Sequence, residues 1–245
     1  MDNNQLKGKI AFITGAGGGI GSEVALSLAS KGVKVVLLGG NNLEKLAKTE
    51  QGILSLGAEC AVVSGNLTND KALEQAFNKA VEKFGGVDIL INNAGMAFNA
   101  GVEDTDIETF DKIMSINVRV PFILTRYCLP YLRKSTRASI INISSVVGHV
   151  GYANQSAYTA SKHALHGFTR ALAKEVYKDG IRVHAVSPGG VYTDMIKIAR
   201  PDLTSDGMIM PKDVAEVVMF LLEHRSNAVV DEIALHRLGK EPFLI

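Results

Sequence analysis

The stretch "KIAFITGAGGGIG", residues 9–21, determines the fold that we expect for this chain of 245 residues. Its first half is a short apolar run, which is typical of a buried strand. Glycine then occupies five of the seven positions 15–21, directly before an amphipathic stretch. Glycine lets the backbone turn tightly and approach a ligand, and the N-terminus of the following helix offers free N–H groups to a pyrophosphate. The pattern predicts a strand, a dinucleotide-binding turn and a helix, and its alternative is a plain flexible turn.

Short β-branched runs alternate with longer amphipathic stretches along the rest of the chain, which indicates strand–helix units that feed a parallel sheet. We predict strands at 9–14, 33–38, 59–64, 87–91, 138–144, 181–187 and 228–235. The expected fold class is α/β: a Rossmann-type, doubly wound, seven-stranded parallel sheet with helices on both faces. We expect one domain over residues 1–245, with a mobile substrate flap at about 193–211, where Met and Ile mix with turn residues.

Charge and cysteine content exclude several classes of partner. The formal net charge is +1 with both signs scattered, so neither nucleic acid nor an anionic membrane is expected to bind. Cys60 and Cys128 are far apart and belong to no metal-binding pattern, which favours a cytoplasmic location without disulfides. No apolar run approaches the length that spans a bilayer. No metal site is predicted, and we expect the methionines at 195, 208 and 210 to line an apolar flap.

The turn after the second strand, Gly39-Gly40-Asn41-Asn42, bears on the choice of cofactor. A carboxylate at this place would bind the ribose diol of NAD, and an arginine would favour the 2′-phosphate of NADP. This chain has neither residue. The N–H groups of Gly39, Gly40 and Asn41 can cradle an anion that no acid opposes, which favours NADP over NAD. The other interpretation is a turn before a helix that begins near Leu43.

The segment "YTASK" places Tyr158 and Lys162 four residues apart, on one face of a predicted helix. A nearby ammonium group would lower the pKa of the phenol, and burial would raise it. Lowering can prevail if an oxidised nicotinamide adds its positive charge, and the phenol would then exchange a proton with an alcohol or carbonyl oxygen. Ser144 and Ser145 end the preceding strand, where ligands of open parallel sheets bind. The alternative is an amphipathic helix with a snorkelling lysine.

With these residues the chain resembles the single-domain branch of the short-chain dehydrogenase/reductase family over nearly its whole length. "TGAGGGIG" at 14–21 resembles the cofactor turn of the family, "NNAG" at 92–95 follows the fourth strand, and Tyr158 and Lys162 match its YxxxK. The catalytic serine of the family lies thirteen residues before the tyrosine, which selects Ser145 over Ser144. Asn117 matches the asparagine that holds a water in a proton relay. The resemblance thus implies a catalytic set of Asn117, Ser145, Tyr158 and Lys162.

The same resemblance, taken with the Gly-Gly turn, implies the residues that contact an NADP or NAD cofactor. Besides Tyr158 and Lys162, they are Gly15, Gly17, Gly19, Ile20, Gly21, Gly39, Gly40, Asn41, Asn66, Leu67, Asn93, Ala94, Gly95, Pro188, Gly189, Val191 and Thr193. Asn66 stands where relatives commonly carry an aspartate beside the adenine, and an amide keeps the acceptor while adding a donor.

The implied activity is NAD(P)-dependent interconversion of a secondary alcohol and a ketone, with Tyr158 as the acid/base. One alternative is a 3-oxoacyl-carrier-protein reductase, although the C-terminus lacks the "VDGG" of many such enzymes. Another is a non-catalytic NAD(P)-binding sensor. Relatives associate as homodimers or homotetramers through helices that lie here at about 105–133 and 154–178. We expect structural roles for His163 and His166, and a structural role for His149 with contact to substrate as its alternative.

Overall fold

A seven-stranded, entirely parallel sheet forms the centre of the computed structural model, which describes residues 5–40, 42–199 and 204–241. The strands are β1 (Ile10–Thr14), β2 (Lys34–Gly39), β3 (Cys60–Ser64), β4 (Ile89–Asn92), β5 (Ser139–Ile143), β6 (Arg182–Pro188) and β7 (Glu232–Leu235). Their order across the sheet is β3-β2-β1-β4-β5-β6-β7. The predicted fold class is therefore confirmed.

The helices in the described part of the chain cover both faces of this sheet. They are α1 (Gly19–Ser30), α2 (Leu43–Ser55), α3 (Asp70–Phe84), α4 (Ile107–Met114), α5 (Val120–Leu132), α6 (Ser156–Val176), α7 (Asp194–Ala199) and α8 (Pro211–Glu223). Helices α1, α2 and α8 contribute to one apolar core cluster, and α3, α5 and α6 contribute to the other. The central strands read as continuous apolar runs because they are buried on both faces. None of these helices is long and apolar enough to cross a membrane.

The chain reverses its direction of winding at β1, which pairs with β2 on one side and with β4 on the other. In open α/β sheets a crevice forms beyond the carboxyl ends of the strands at such a switch point. The glycine turn follows β1, and the Asn93–Gly95 segment follows β4, so both border that crevice. The topology thus brings together two segments that are about 80 residues apart in the sequence.

The segment predicted as one long helix at 105–133 is interrupted by a π-helical turn at Ser115–Arg119. The N–H of Val120 bonds to the carbonyl of Ser115, five residues earlier. Pro121 supplies the reason, because it has no N–H for the carbonyl of Asn117 and its ring would crowd that carbonyl in a regular helix. The predicted helix at 154–178 corresponds to α6, which is continuous from Ser156 to Val176.

Candidate active site

The glycine turn packs so closely on the end of β4 that side chains would not fit at two of its positions. Gly15 has a φ of +66°, and a Cβ there would lie 2.9 Å from both Ala94 Cα and Asn93 Nδ2. A Cβ on Gly21 would collide with the carbonyl oxygen of Gly15 and lie 2.6 Å from Asn93 Nδ2. The backbone of the turn therefore lies directly on the segment that follows β4.

The first turn of α1 leaves its N–H groups without side-chain partners. Its N-cap is Gly18, no side chain bonds to the cap, and no acidic residue lies in the first turn. Thr193 lies above this end, since a Cβ at Gly19 would be 3.0 Å from Thr193 Cγ2. Free N–H donors, the positive end of the helix dipole and a glycine-lined approach fit a pyrophosphate group. Ile20, at the second position of α1, is partly buried against the core.

Asn93 and Ala94 are held to the glycine turn by hydrogen bonds. The Oγ1 of Thr14 accepts from the backbone N–H groups of Asn93 and Ala94, both at 2.9 Å. The side-chain amide of Asn93 donates to the carbonyl oxygens of Thr14 at 2.9 Å and Gly15 at 3.2 Å. The Asn93 amide therefore shapes the turn in this structure. Thr14 was not among the predicted contacts, although its position before Gly15 suits this role.

The end of β2 combines a packed glycine with an open one. A Cβ on Gly39 would lie 2.6 Å from the side chain of Leu46, whereas Gly40 has no atom within 4 Å of such a position. Asn42 caps α2 by accepting from the N–H of Lys45 at 3.0 Å, so this helix begins at Leu43 as the alternative interpretation of the turn expected. Asn41 lies outside the described residues. The backbone at Gly40 is therefore open on the side where a side chain would stand.

Lys45 is a cationic residue beside the glycine turn that the sequence prediction missed. A Cβ on Gly17 would lie 3.4 Å from Lys45 Cβ. The ammonium group is 2.5 Å from Asp194 Oδ2, at the start of α7, and this pairing lowers the pKa of the aspartate. The ion pair joins α2 to α7 next to the turn. Its signal in the sequence is a lysine in the first turn of the helix after β2, but Asp194 is 149 residues away.

The predicted adenine contacts lie at the end of β3. Asn66 is exposed, and its Oδ1 already accepts from the backbone N–H of Thr68 at 3.0 Å and from the hydroxyl of Thr68 at 2.7 Å. The amide N–H₂ is the part of the side chain that is left for a ligand. Leu67 is 6% exposed and belongs to the core cluster to which α3 and α5 contribute.

The predicted nicotinamide segment follows β6 and is pinned at two places. Gly189 donates its N–H to the carbonyl of Leu235 at 2.8 Å, and Pro188 is buried at the end of β6. Val191 is buried and forms a parallel bridge with Ile209. The C-terminal part of the predicted 193–211 flap is therefore attached to the segment before it, and residues 200–203 of that flap lie outside the described residues.

Lys162 and Tyr158 lie together on α6, at the end of β5. Lys162 is 4% exposed, and its ammonium group donates to the carbonyl of Ile143 at 3.0 Å. The same nitrogen lies 5.7 Å from the centre of the Tyr158 ring. A Cβ on Gly95 would be 3.8 Å from Lys162 Nζ. The lysine therefore lies between the phenol and the segment that borders the glycine turn.

Asn117 lies in the π-helical turn and is 1% exposed. Its Oδ1 accepts from the N–H of Met96 at 2.8 Å, and its Nδ2 donates to the carbonyl of Met96 at 2.9 Å and to Ser161 Oγ at 2.9 Å. Ser161 was not predicted, although it lies within "YTASK" next to Lys162. These bonds connect the π-helical turn with both α6 and the segment after β4.

Ser145 is the second residue after β5, and it caps a 3₁₀ turn at Val146–Gly148. Its hydroxyl accepts from the N–H of Val147 at 3.4 Å, and its interaction with the Tyr158 phenol lowers the pKa of the tyrosine. Ser144 is buried beside His166 and Gly148, and its hydroxyl has no partner among the described residues. The structure thus brings Ser145, Tyr158 and Lys162 to one place, with Asn117 linked to them through Ser161.

Burial dominates the protonation of this cluster when no cofactor charge is nearby. It raises the pKa of Tyr158 to about 12, against the smaller lowering by the Ser145 hydroxyl. It also lowers the pKa of Lys162 to about 8. Both shifts follow from the cost of a charge in a dry site. Lowering of the Tyr158 pKa below its ordinary value, as expected from the sequence, therefore requires an additional positive charge such as that of an oxidised nicotinamide.

The histidines near this cluster have different surroundings. His163 is exposed on α6, and its Nδ1 lies 3.0 Å from the carbonyl of Thr159. His149 Nε2 lies 2.6 Å from Glu232 Oε1, and the buried His166 lies beside the same carboxylate. Burial lowers the pKa of His166 to about 4, so its ring is neutral near pH 7. In the predicted flap, the sulfur of Met208 accepts a hydrogen bond from Arg237 Nη1 at 3.2 Å.

The model of the family described as short chain dehydrogenase matches residues 9–204. An uncharacterized oxidoreductase of Thermotoga maritima is 42% identical over 75% of this chain and 72% of its own length. A 3-oxoacyl-[acyl-carrier-protein] reductase of the same organism is 33% identical over 94% of this chain and 96% of its own length.

Two solved structures of similar proteins contain a nicotinamide cofactor. A metagenomic short-chain oxidoreductase in complex with NADP has a TM-score of 0.83 and 30% identity, covering 96% of this chain and 99% of its own. Carveol dehydrogenase from Mycobacterium avium in complex with NAD has a TM-score of 0.86 and 26% identity, covering 95% of this chain and 97% of its own.

Proposed function

The chain belongs to the short-chain dehydrogenase family, and we propose that it is an NAD(P)-dependent oxidoreductase that interconverts a secondary alcohol and a ketone. The observation that carries the proposal is the position of Gly95. A Cβ there would lie 3.3 Å from Asn117 Oδ1 and 3.8 Å from Lys162 Nζ, while its neighbour Ala94 is bonded to Thr14 at the glycine turn. The cofactor crevice and the acid/base cluster are therefore adjacent.

The glycine turn fits the proposed cofactor. The absent Cβ atoms of Gly15 and Gly21 allow a close backbone, and the uncapped N-terminus of α1 would hold the pyrophosphate. When bound, a reduced nicotinamide supplies a hydride to the carbonyl carbon. The open backbone at Gly40 and the ammonium group of Lys45 support NADP over NAD, since both suit a 2′-phosphate.

Tyr158 is the proposed proton donor in ketone reduction. With its pKa raised to about 12 the phenol stays protonated at neutral pH, so it can donate to the alkoxide oxygen that forms as the carbonyl is reduced. Ser145, whose hydroxyl interacts with the phenol and lowers its pKa, would hold that same oxygen and stabilise its growing negative charge. In the direction of oxidation the phenol must lose its proton first, which Lys162 and the positive charge of an oxidised cofactor would favour.

Asn117 and Lys162 are proposed to return the proton from solvent. Lys162 is buried and has an ordinary hydrogen bond only to the Ile143 carbonyl among the described residues, which leaves donors for a ribose hydroxyl or a water. Pro121 cannot donate to the carbonyl of Asn117, so that carbonyl is not occupied by the usual helical bond. A water between the two residues would complete the relay.

The proposed substrate is a small molecule with a ketone or secondary alcohol. The 33% identity with a 3-oxoacyl-[acyl-carrier-protein] reductase supports one specific candidate, a 3-oxoacyl thioester. The chain departs from many such enzymes in its C-terminal sequence, which ends in "HRLGKEPFLI" without "VDGG". A non-catalytic sensor would not need the reacting groups, and Ser145, Tyr158 and Lys162 support the enzyme instead.

We propose that the chain assembles into a homodimer or homotetramer through α4, α5 and α6. Its proposed location is the cytoplasm. Apolar side chains on this side of the molecule are exposed, including Ile107 at 74% and Phe122 at 55%. The ring of Phe122 on α5 lies 5.6 Å from that of Phe168 on α6, so the two helices present a joint apolar surface. Such a surface suits a second copy of the chain, and light scattering would test the assembly.

The function is tested by following the absorbance of reduced nicotinamide with a panel of ketones, including a 3-oxoacyl thioester. We expect turnover by the wild type, and a loss of about a thousandfold or more in Tyr158→Phe with cofactor affinity unchanged. Tyr177→Phe, at the exposed end of the same helical region, is the matched control and should keep full turnover. Equal turnover in wild type and Tyr158→Phe would reject the assignment.

A further inference from the structure

Two histidines and a glutamate from separate parts of the fold lie close together beside the proposed active site. His149 follows the 3₁₀ turn after Ser145, His166 lies on α6, and Glu232 begins β7. Their ligating atoms all lie within 4.8 Å of one another. His149 Nε2 is 2.6 Å and His166 Nδ1 is 3.6 Å from the same oxygen, Glu232 Oε1. The two imidazole rings are 4.4 Å apart, edge to face.

The hydroxyl of Ser187 determines the tautomer of His166. Ser187 Oγ donates its only proton to Glu232 Oε1 at 2.8 Å, because an ionised carboxylate accepts and cannot donate. Towards His166 Nε2, 3.2 Å away, the same hydroxyl oxygen must therefore act as an acceptor. An uncharged His166 ring in this arrangement carries its proton on Nε2. Its Nδ1 carries a bare lone pair.

Two acceptors therefore face each other across 3.6 Å, the Nδ1 of His166 and the Oε1 of Glu232. His166 is 3% exposed, whereas Glu232 on the other side of this contact is 25% exposed. A cation between a lone pair and a carboxylate oxygen would be bound by both atoms. Histidine nitrogen and carboxylate oxygen are ligands of first-row divalent metals.

We propose that His149, His166 and Glu232 form a Zn²⁺-binding site, with His149 Nε2, His166 Nδ1 and Glu232 Oε1 as the ligands. Zinc with two histidines and one carboxylate normally keeps a fourth position for water. The sequence analysis predicted no metal site. No local pattern joins these ligands, because the two histidines are 17 residues apart and Glu232 is 83 residues from His149. The juxtaposition exists only in the folded chain.

The surroundings of the cluster supply what a zinc site needs beyond its ligands. Ser187 accepts from His166 Nε2, the kind of outer hydrogen bond that orients a ligating imidazole. Arg170 lies 3.8 Å from Glu232 Oε2, the oxygen that the proposed metal does not use. For His149 Nε2 to bind the metal, that nitrogen must be free of its proton, which Nδ1 can carry instead.

A route of entry and a consequence for the active site follow from the location. His166 and Glu232 line a cavity of about 420 Å³ between α6 and the β6–β7 edge. Glu232 is 25% and His149 is 19% exposed, so a hydrated ion can approach them. A bound metal would attach the segment after Ser145 to β7, and would thereby restrain the backbone that carries the candidate catalytic serine.

Calorimetric titration of the untagged, chelator-treated full chain with Zn²⁺ tests the site without cofactor or substrate, and so independently of the proposed function. We expect one equivalent of Zn²⁺ per chain, and an affinity lower by about a hundredfold or more in His149→Gln and in Glu232→Gln. His163→Gln removes an exposed histidine of α6, the helix that carries His166, and should bind Zn²⁺ as tightly as the wild type does. Circular dichroism checks that each variant is folded.

Co²⁺ provides a second measurement that needs no variant. A four-coordinate site with two histidines should give the wild type an intense visible absorption with Co²⁺, and added Zn²⁺ should remove it. The proposal is overturned if the wild type binds less than one equivalent of Zn²⁺, or if both ligand variants bind as tightly as the wild type. It is also overturned if bound Co²⁺ shows only the weak spectrum of an octahedral aqueous ion.

Discussion

The ammonium group of Lys162 donates a hydrogen bond of 3.0 Å to the carbonyl oxygen of Ile143, at the point where β5 ends. The lysine is 4% exposed and has no ion-pair partner among the described residues. Holding a cation in such a place costs stability, and burial lowers the pKa of Lys162 from 10.5 to about 8. The buried ammonium group of Lys162 therefore lowers the free energy of unfolding of the protein.

Replacing Lys162 by methionine should make the protein more stable and inactive. The pKa difference corresponds to about 3 kcal/mol, and loss of the bond to Ile143 returns about 1 kcal/mol, so the midpoint of thermal unfolding should rise by roughly 5 °C at pH 7. Because the unfolded chain binds more protons between pH 8 and 10.5, wild-type stability should rise with pH in that window relative to the variant. Calorimetry at several pH values measures both effects.

Lys174→Met, at an exposed position of α6, is the control and should change neither the unfolding midpoint nor its dependence on pH. A wild-type stability that does not vary between pH 8 and 10.5 would contradict the assignment of the buried charge.

The pH dependence of turnover should differ between the two directions. Ketone reduction needs the protonated Tyr158, whose pKa is raised to about 12, and the charged Lys162, whose pKa is lowered to about 8. The value of kcat/KM for reduction should therefore be level below pH 8 and fall above it by about tenfold per pH unit. Alcohol oxidation needs the phenolate, so its rate should increase as the pH rises. A reduction rate that stays level to pH 10 would show that Lys162 does not limit it.

The sheet could be predicted from the sequence because the central strands are buried on both faces, which gives short, continuous apolar runs. The last strand is the instructive exception. Residues 228–235 were predicted as one strand, but β7 begins only at Glu232, and Val229 and Val230 before it are 49% and 37% exposed. At the edge of a sheet an apolar run is not forced into pairing, so pattern alone overestimates its length.

The candidate site was predictable where its members share a short segment. Tyr158 and Lys162 lie within one turn of α6, and the resemblance to a known family supplied Ser145 and Asn117. Ser161 lies in the same turn, but its role depends on the bond to Asn117, 44 residues away, and was missed. Contacts such as Lys45 with Asp194, 149 residues apart, depend on tertiary packing that no local pattern records. Protonation also depends on burial, so the raised pKa of Tyr158 could only be obtained from the folded chain.

Substitution of Gly21 by alanine should destabilise the protein and weaken cofactor binding together. The new Cβ would collide with the Gly15 carbonyl and lie 2.6 Å from Asn93 Nδ2, so the turn must move away from β4. Overpacking of this kind costs about 1–3 kcal/mol, which lowers the unfolding midpoint by several degrees. Gly167→Ala places a Cβ in open space on α6 and should leave the midpoint equal or slightly higher. Thermal unfolding and fluorescence titration with NADPH measure both effects, and an unchanged Gly21→Ala variant would refute the close packing of the turn.

Lys45 and Asp194 should act in opposite senses on the choice between NADPH and NADH. The ammonium group lies beside the glycine turn and is neutralised by the carboxylate at 2.5 Å, so a 2′-phosphate would compete with Asp194 for the same cation. Lys45→Gln should weaken NADPH binding by roughly fivefold to tenfold and leave NADH binding unchanged, because only the former carries the phosphate. Asp194→Asn should strengthen NADPH binding by a few-fold, since it frees Lys45, and raised salt should reduce the difference. Lys48→Gln, an exposed lysine one turn further along α2, is the matched control. If Lys45→Gln weakened both cofactors equally, the lysine would be supporting the turn instead of reading the phosphate, and the preference for NADP would have to rest on the Gly39-Gly40 backbone alone.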